Sequence, residues 1–291
     1  MEIYLVDGTY ELFRSYYGAP KFRNKLGYEV GAAKGFLNSM LALLRDKRVT
    51  HVACAFDHVI ESFRNKIFPE YKTGDGIDSD LLAQFSLAEE VAQALGLVVW
   101  PMVSFEADDA IATAVARFSR KKEVERIVIA SPDKDLTQCV CKERIVCLDR
   151  RRQIVLDEAG VQEKFGVLPG SIPDYLALVG DAADGIPGIL GWGKKATAQV
   201  VSSYGSIDRI PEDSKSWNVS PRRAKFLAEN LRNKRNEAFL YKNLATLRTD
   251  VPLGEELEQL KWFGAVKTRI DRLVEEFEDA TIVNRILLYQ D

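Results

Sequence analysis

The stretch Phe105-Glu106-Ala107-Asp108-Asp109-Ala110 opens a predicted helix and places three carboxylates in its first turn. The apolar residues that follow recur at helical spacing and predict one buried face: Ile111, Ala114, Val115 and Phe118. Acidic residues are also common in the first turn of ordinary helices, where they complement the positive end of the helix dipole. The stretch by itself therefore leaves both readings open, a capped helix and a site.

Aspartates at the ends of short apolar runs favour a site. Residues 3–6 precede Asp7, residues 52–56 precede Asp57, and residues 127–130 precede Asp133 and Asp135. Each run predicts a buried strand, and the carboxyl ends of parallel strands meet at one edge of a sheet. Carboxylates so close together repel one another unless cations lie between them, and oxygen ligands suit Mg²⁺ or Mn²⁺. We therefore predict a divalent metal site at this edge.

The composition predicts a globular, cytoplasmic protein. The 291 residues are 46% hydrophobic and 29% charged, without a run long enough to cross a membrane and without a basic leader followed by an apolar segment. The four cysteines show no CxxC spacing and the histidines are only two, which argues against zinc and disulfides. His58 could touch substrate, but a solvated loop histidine is the commoner case.

Charge is distributed unevenly along the chain. The formal net charge is −3, yet residues 192–248 contain twelve basic and five acidic side chains. An acidic cluster followed by a basic region suits a metal-dependent enzyme that acts on a polyanion. Two ordinary solvated helical faces remain the alternative.

Alternating strand and helix patterns predict an α/β fold with a central, mainly parallel sheet. We expect one helix over residues 30–44, a second that begins near Ser79 with Leu82 facing inward, and a third that begins at about Asp135. Asp157 is the predicted N-cap of a further helix. Residues 166–169 mark a plausible boundary, since the later pattern is helical. The predicted domains are 1–168, an α/β domain with the acidic edge, and 169–291, a helical region.

The connector over residues 58–78 is polar and has no clear apolar stripe. Connectors of this length are often functional, so we predict that it grips substrate. Arg64 and Lys72 would hold phosphate, and Tyr71 would stack on a base. A solvated loop without function is the alternative.

Glycines and lysines combine at residues 188–195. The stretch matches most of a nucleotide-binding P-loop, but Lys195 stands where a metal-binding hydroxyl is needed and no strand precedes it. Free amides at the start of a helix bind phosphate, which predicts a helix-hairpin-helix clamp on a nucleic-acid backbone. Its residues are Gly188, Gly191, Gly193, Lys194 and Lys195. A glycine-rich helix connection is the alternative.

Several motifs together resemble one family. They are Leu5-Val6-Asp7-Gly8, Phe56-Asp57, Ser62-Phe63-Arg64, Tyr71-Lys72, Glu106-Ala107-Asp108-Asp109, Asp133-Lys134-Asp135-Leu136, Gly180-Asp181-Ala182-Ala183-Asp184 and the glycine-lysine stretch. Their order and spacing resemble the 5'-nuclease superfamily, which includes the 5'-3' exonuclease domain of bacterial DNA polymerase I, phage 5'-exonucleases and flap endonucleases. The sequence departs from the family at Asp75, where a basic residue is frequent, and at His58, where a small residue is usual.

The resemblance implies a PIN-like nuclease domain with a helix-hairpin-helix region and a two-metal mechanism. By position, Asp7, Asp57, Glu106 and Asp108 would serve the first metal ion. Asp108 would also serve the second, together with Asp133, Asp135 and Asp184. Asp109 and Asp181 would support the ions from outside, Arg64 and Lys72 would assist catalysis, and the hairpin would hold K⁺.

The expected substrates are DNA with a 5' flap, a nick or a free 5' end, and RNA-DNA primers, bound by a monomer in replication and repair. Two alternatives stay open at this point. A PIN-type ribonuclease shares the acidic edge of the sheet, and a non-catalytic binder of DNA junctions would need only the clamp.

Overall fold

The computed structural model describes residues 1–290, with six strands and twelve α-helices. The strands are β1 (Glu2–Asp7), β2 (His51–Asp57), β3 (Val98–Met102), β4 (Arg126–Ala130), β5 (Ile145–Asp149) and β6 (Ile154–Leu156). The helices are α1 (Gly8–Gly18), α2 (Gly31–Leu44), α3 (Phe63–Ile67), α4 (Ser79–Leu82), α5 (Phe85–Ala94), α6 (Ala107–Phe118), α7 (Glu158–Phe165), α8 (Ile172–Val179), α9 (Lys194–Tyr204), α10 (Ala224–Asn233), α11 (Arg235–Ala245) and α12 (Lys267–Glu276).

The chain divides into two compact units. The first unit contains residues 1–62, residues 74–131 and the described residues from Thr249 onward, and the second contains residues 63–73 and 132–248. The predicted division at residues 168 and 169 stays a prediction. Among the helices of residues 1–290, none combines the length and the apolar character that crossing a bilayer requires.

The first unit is built on four parallel strands in the order β3-β2-β1-β4. In the register of the two central strands, Leu5 lies beside Ala53 on one side and Ile129 on the other. Every residue of β2 is buried, which explains why its sequence is a continuous apolar run instead of an alternating one. All four strands point the same way, so Asp7 and Asp57 lie at the same edge, as predicted.

Helices cover this sheet and complete the core of the first unit. Helices α1, α2 and α5 pack on one another, and α6 packs on β1, β2 and β3. Phe36, Leu37 and Phe118 are fully buried in this core. Together these elements confirm the predicted α/β class and its mainly parallel sheet.

The second unit is mainly helical. Its strands β5 and β6 pair antiparallel, and α8 packs against α9 and α11. Asp157 caps α7 as predicted, because its Oδ1 accepts a hydrogen bond from the Gly160 amide at 2.8 Å. Gly166 then ends α7 in the left-handed conformation.

Two predicted helices differ from the structure. The helix expected from Ser79 is divided into α4 and α5, and Leu82 is 41% exposed, so the inward position predicted for it is wrong. The helix expected from Asp135 is one short 3-10 turn, Asp135–Cys139.

Candidate active site

Asp7 stands at the end of β1 and also caps helix α1. Its Oδ1 accepts a hydrogen bond from the Tyr10 amide at 2.8 Å, and its Oδ2 accepts one from Ser131 Oγ at 2.8 Å. The side chain is only 6% exposed. The carboxylate is therefore held in one orientation by the capping geometry and by the residue that follows β4.

Asp57 links the end of β2 to the start of α6. Its Oδ1 accepts a hydrogen bond from the Ala107 amide at 2.8 Å, and its own amide donates to Thr9 Oγ1 at 2.7 Å. A carboxylate at the amino end of a helix is favoured by the helix dipole. These contacts explain how a buried aspartate keeps its place at the edge of the sheet.

The three carboxylates at the start of α6 differ in their contacts and in their burial. Glu106 and Asp109 form a reciprocal capping box, in which the Glu106 amide donates to Asp109 Oδ2 at 3.1 Å. Glu106 also accepts a hydrogen bond from Ser62 Oγ at 2.7 Å, and Asp109 is fully buried. Asp108 is only half-buried. Helix capping thus accounts for Asp109, whereas Asp108 remains accessible to a ligand.

The second unit brings three predicted acids together. Carboxylate oxygens of Asp135, Asp181 and Asp184 lie within 4.8 Å of one another, which suits a metal ion. Asp133 lies beside them, since its Oδ1 accepts a hydrogen bond from the Asp135 amide at 2.9 Å. Oδ1 of Asp135 is buried and has no hydrogen-bond partner. An oxygen in that state fits a hard cation, because a ligand would satisfy it.

Burial and mutual repulsion shift the titration of these acids. Burial, and then the charges of Asp133 and Asp184, raise the pKa of Asp135 well above 3.8. Burial also raises the pKa of Asp184, with opposing effects from Asp135 and from the nearby Lys72 ammonium. Close buried carboxylates cannot all ionise without a neighbouring positive charge. The fully ionised state of this group of carboxylates is therefore unfavourable at neutral pH unless a cation is bound.

Sequence reasoning did not assign a role to Lys134. Its Nζ lies 2.5 Å from Asp181 Oδ2. Burial acts to lower the pKa of Lys134, but the carboxylates of Asp135 and Asp181 outweigh it and raise the pKa. The signal available in the sequence was a lysine placed between two of the predicted metal ligands.

Two of the three connector residues with predicted roles, Arg64 and Tyr71, are buried in the structure. The Arg64 side chain is 1% exposed, and its guanidinium donates to the carbonyl oxygens of Leu244 at 2.8 Å and Thr246 at 3.2 Å. Tyr71 is 4% exposed. The phosphate contact predicted for Arg64 and the base stacking predicted for Tyr71 stay predictions. Lys72 is half-buried, and its amide donates to the Asp184 carbonyl at 3.0 Å.

The glycine-lysine hairpin, residues 188–195, leads into the first turn of helix α9, and its contact with phosphate stays a prediction. Gly188 and Gly191 adopt φ values of +72° and +89°, and Gly193 is the N-cap of α9. Lys194 and Lys195 are exposed in the first turn of that helix. Amides in a first turn have no acceptor within the helix, so they are available to an anion.

A parallel α/β unit with carboxylates at its strand ends, and a helical unit with an acidic group and a glycine-lysine hairpin, define a class of protein. It is the class of metal-dependent nucleases with a PIN-like domain.

Comparisons with known proteins extend this assignment to a family. Residues 2–166 match the family described as "5'-3' exonuclease, N-terminal resolvase-like domain", and residues 167–268 match "5'-3' exonuclease, C-terminal SAM fold". The chain belongs to the 5'-3' exonuclease family and is a nuclease that hydrolyses phosphodiester bonds.

Individual relatives agree with this result. A 5'-3' exonuclease of Buchnera aphidicola is 33% identical, with 91% of this chain and 88% of the relative covered. A 5'-3' exonuclease of Aquifex aeolicus is 31% identical, and the match covers 98% of this chain and 94% of the relative. A zinc-bound structure of T5 5'-exonuclease shares the fold with a TM-score of 0.69, at 16% identity and 98% and 97% coverage. These findings confirm the predicted family and fold class.

Proposed function

We propose that this 5'-3' exonuclease cleaves DNA that carries a 5' flap, a nick or a free 5' end, and leaves a 5'-phosphate and a 3'-hydroxyl. The observation that carries the proposal is the group of Asp135, Asp181 and Asp184, whose oxygens converge within 4.8 Å. Two solved structures with the same fold support DNA as the substrate. One solved relative is a T5 flap endonuclease in a complex with DNA and metal ions, and another is the Rad2 catalytic core with a DNA substrate.

Each unit would supply carboxylates to divalent ions, Mg²⁺ or Mn²⁺. In the first unit Asp7, Asp57, Glu106 and Asp108 are the proposed ligands, with Asp109 in support through its capping contact. In the second unit Asp133, Asp135 and Asp184 are the proposed ligands, with Asp181 in support. Bound divalent ions would activate water and stabilise the leaving oxygen. The protein's own part is to fix the carboxylates, which the contacts of Asp7 and Asp57 do.

Positive groups would hold the substrate. Lys72 lies near Asp184 and is our proposed phosphate contact beside the acids. Gly188, Gly191, Gly193, Lys194 and Lys195 would clamp the DNA backbone without reading its sequence, and K⁺ at this hairpin is part of the proposal. Arg64 and Tyr71 also stabilise the connector from buried positions, and the phosphate contact of Arg64 and the base stacking of Tyr71 remain part of the proposal.

The remaining expectations belong to the same proposal. We propose that the enzyme acts as a monomer in the cytoplasm, in DNA replication and repair and on RNA-DNA primers. A relationship to DNA polymerase I supports this setting, since that protein of Pseudomonas aeruginosa is 36% identical over 265 residues.

Cleavage of matched substrates tests the proposal. End-labelled flap, nicked and single-stranded DNA, and single-stranded RNA of the same sequence, are incubated with Mg²⁺ or with EDTA, and the products are sized on a gel. We expect metal-dependent cleavage of flap and nicked DNA, lost in Asp108→Asn and Asp184→Asn. Cleavage of the RNA alone would favour a PIN-type ribonuclease. Flap binding without cleavage in any divalent metal would indicate a non-catalytic junction binder.

A further inference from the structure

The second unit places the ammonium group of Lys134 against a buried carboxylate of its acidic cluster. Lys134 lies between Asp133 and Asp135 in the sequence, and its Nζ is 2.5 Å from Asp181 Oδ2. The Asp181 side chain is 3% exposed and that of Lys134 is 33% exposed. The positive charge is therefore partly in solvent, whereas the carboxylate that it contacts is buried.

The neighbours of this ion pair are unusual for a structural salt bridge. Asp181 Oδ1 accepts a hydrogen bond from the Ala183 amide at 3.1 Å, and carboxylate oxygens of Asp135 and Asp184 lie within 4.8 Å of Asp181. Lys134, together with the Lys72 ammonium near Asp184, gives two positive charges, which cannot balance four neighbouring carboxylates, counting Asp133. Before a metal ion binds, Lys134 is nevertheless the ammonium in contact with Asp181, and a buried carboxylate without a partner is costly.

We propose that Lys134 is a positioning residue that acts as a resident cation of the acidic cluster. It holds Asp181 in place while the cluster has no metal, and its positive charge lowers the affinity of the cluster for divalent ions. The inference rests on the proposed function, because it assumes that Asp133, Asp135 and Asp184 bind such ions with Asp181 in support. The ammonium therefore keeps the empty cluster folded at the expense of its metal affinity.

The chain offers a matched control for this idea. Lys242 also pairs with a buried aspartate, because its Nζ is 3.0 Å from Asp174 Oδ1, and it contacts Asp208 at 2.8 Å. Asp174 is as buried as Asp181, and no group of metal-binding acids surrounds it among residues 1–290. Substitution of Lys242 therefore removes an equivalent ion pair without touching the cluster.

The test compares full-length wild type, Lys134→Met, Lys134→Arg and Lys242→Met. Thermal unfolding is measured in EDTA and in MnCl₂, and Mn²⁺ affinity is measured by titration calorimetry. We expect Lys134→Met to unfold about 4 °C lower in EDTA and to recover the wild-type temperature in Mn²⁺. Its Kd for Mn²⁺ falls about tenfold, since a neighbouring positive charge is gone. Lys134→Arg keeps an unfolding temperature and a Kd for Mn²⁺ close to those of wild type. Lys242→Met unfolds at a lower temperature than wild type in both EDTA and MnCl₂.

Each other outcome has a defined meaning. If Lys134→Met binds Mn²⁺ no more tightly than wild type, or loses stability equally with and without the metal, Lys134 forms an ordinary structural ion pair and the inference is wrong. Failure of this variant to fold even in Mn²⁺ overturns it too. If wild type itself binds no Mn²⁺, the proposed function fails first, and the two failures are thereby distinguished.

Discussion

A single hydrogen bond connects the chemistry of Asp57 to the packing around it. Asp57 Oδ1 accepts from the Ala107 amide, so the side chain both carries a charge and joins β2 to α6. Asparagine keeps an oxygen acceptor of the same shape, whereas alanine keeps neither property. The two substitutions therefore separate charge from structure at one position.

We expect Asp57→Asn to lower the cleavage rate of flap DNA by about a hundredfold or more while the unfolding temperature changes little, because only the charge is lost. Asp57→Ala should also be destabilised, by about 1 to 3 kcal/mol, since the Ala107 amide is buried and would lack an acceptor. Single-turnover cleavage and thermal unfolding measure the two effects. Full activity of Asp57→Asn would remove Asp57 from the proposed ligands.

Asp135 permits a prediction on pH. Burial raises its pKa in the folded state, so its effect on stability is most favourable below the ordinary carboxylate pKa, where it is protonated in both states. That contribution is lost as the pH rises through the raised pKa. In EDTA, Asp135→Asn should therefore raise the unfolding temperature at pH 8 and have a smaller effect at pH 4.5. Thermal scans at both pH values test this, and a larger gain at pH 4.5 would contradict it.

Arg64 illustrates what could not be predicted at the level of single residues. A basic residue in a polar connector indicates a phosphate contact, and the sequence contains nothing nearby to suggest otherwise. Its partners, the carbonyl groups of Leu244 and Thr246, lie 180 and 182 positions further along the chain. The metal-ligand candidates were easier to predict, because Asp7 and Asp57 directly follow apolar strands whose direction fixes where they lie.

Among the elements, the glycine-lysine hairpin gives a test within one loop. A Cβ atom on Gly191 would lie 2.6 Å from Cε1 of Phe226, and its φ of +89° strains any other residue. Gly193 has open space and a φ of −87°. We expect Gly191→Ala to cost about 1 to 3 kcal/mol of stability and to weaken DNA binding.

The control is Gly193→Ala, which should cost only about 0.5 to 1 kcal/mol, because alanine is a poorer N-cap than glycine but meets open space there. Chemical denaturation and DNA titration at fixed salt measure both variants. Equal effects of the two substitutions would show that the hairpin backbone is not the sensitive feature.

The break between α4 and α5 shows why the bounds of a helix could not be predicted from its sequence pattern alone. The Gln84 side chain is buried, with Nε2 donating to the Asp80 carbonyl at 2.7 Å and Oε1 accepting from the Ala33 amide at 3.0 Å. A contact with α2 therefore interrupts a pattern that is helical in the sequence. The strands were predictable for the opposite reason, since both faces of β1 and β2 are buried and nearly every position is apolar.

For the whole molecule, the segment that follows Thr249 is part of the first unit and packs on its early elements. The Trp262 amide donates to the Thr50 carbonyl and its Nε1 to the Leu95 carbonyl, each at 2.8 Å. Phe277, Ile270 and Ile282 are fully buried there. The helical pattern after residue 172 gave no indication of this return, because the apolar periodicity of a helix does not identify its partner.

Ending the chain at Arg248 should therefore unfold the first unit. Each of these apolar side chains contributes about 1.5 to 3 kcal/mol by burial, and their sum approaches the total stability of a domain, about 5 to 15 kcal/mol. Limited proteolysis and tryptophan fluorescence measure the result. The control is Phe263→Ala in the full chain, since Phe263 is 57% exposed. A truncated chain as protease-resistant as the control would refute the prediction.

This return of the chain has a consequence during translation. The ribosome makes β1 and its aspartate well before the residues after Thr249 that complete the same unit. Strands of a parallel sheet gain little stability before their partners, which are distant in the chain, have been made. The first unit therefore stays incomplete while the intervening residues are synthesised. Nuclease activity should therefore emerge only after the segment that follows Thr249 has been synthesised and has left the ribosome.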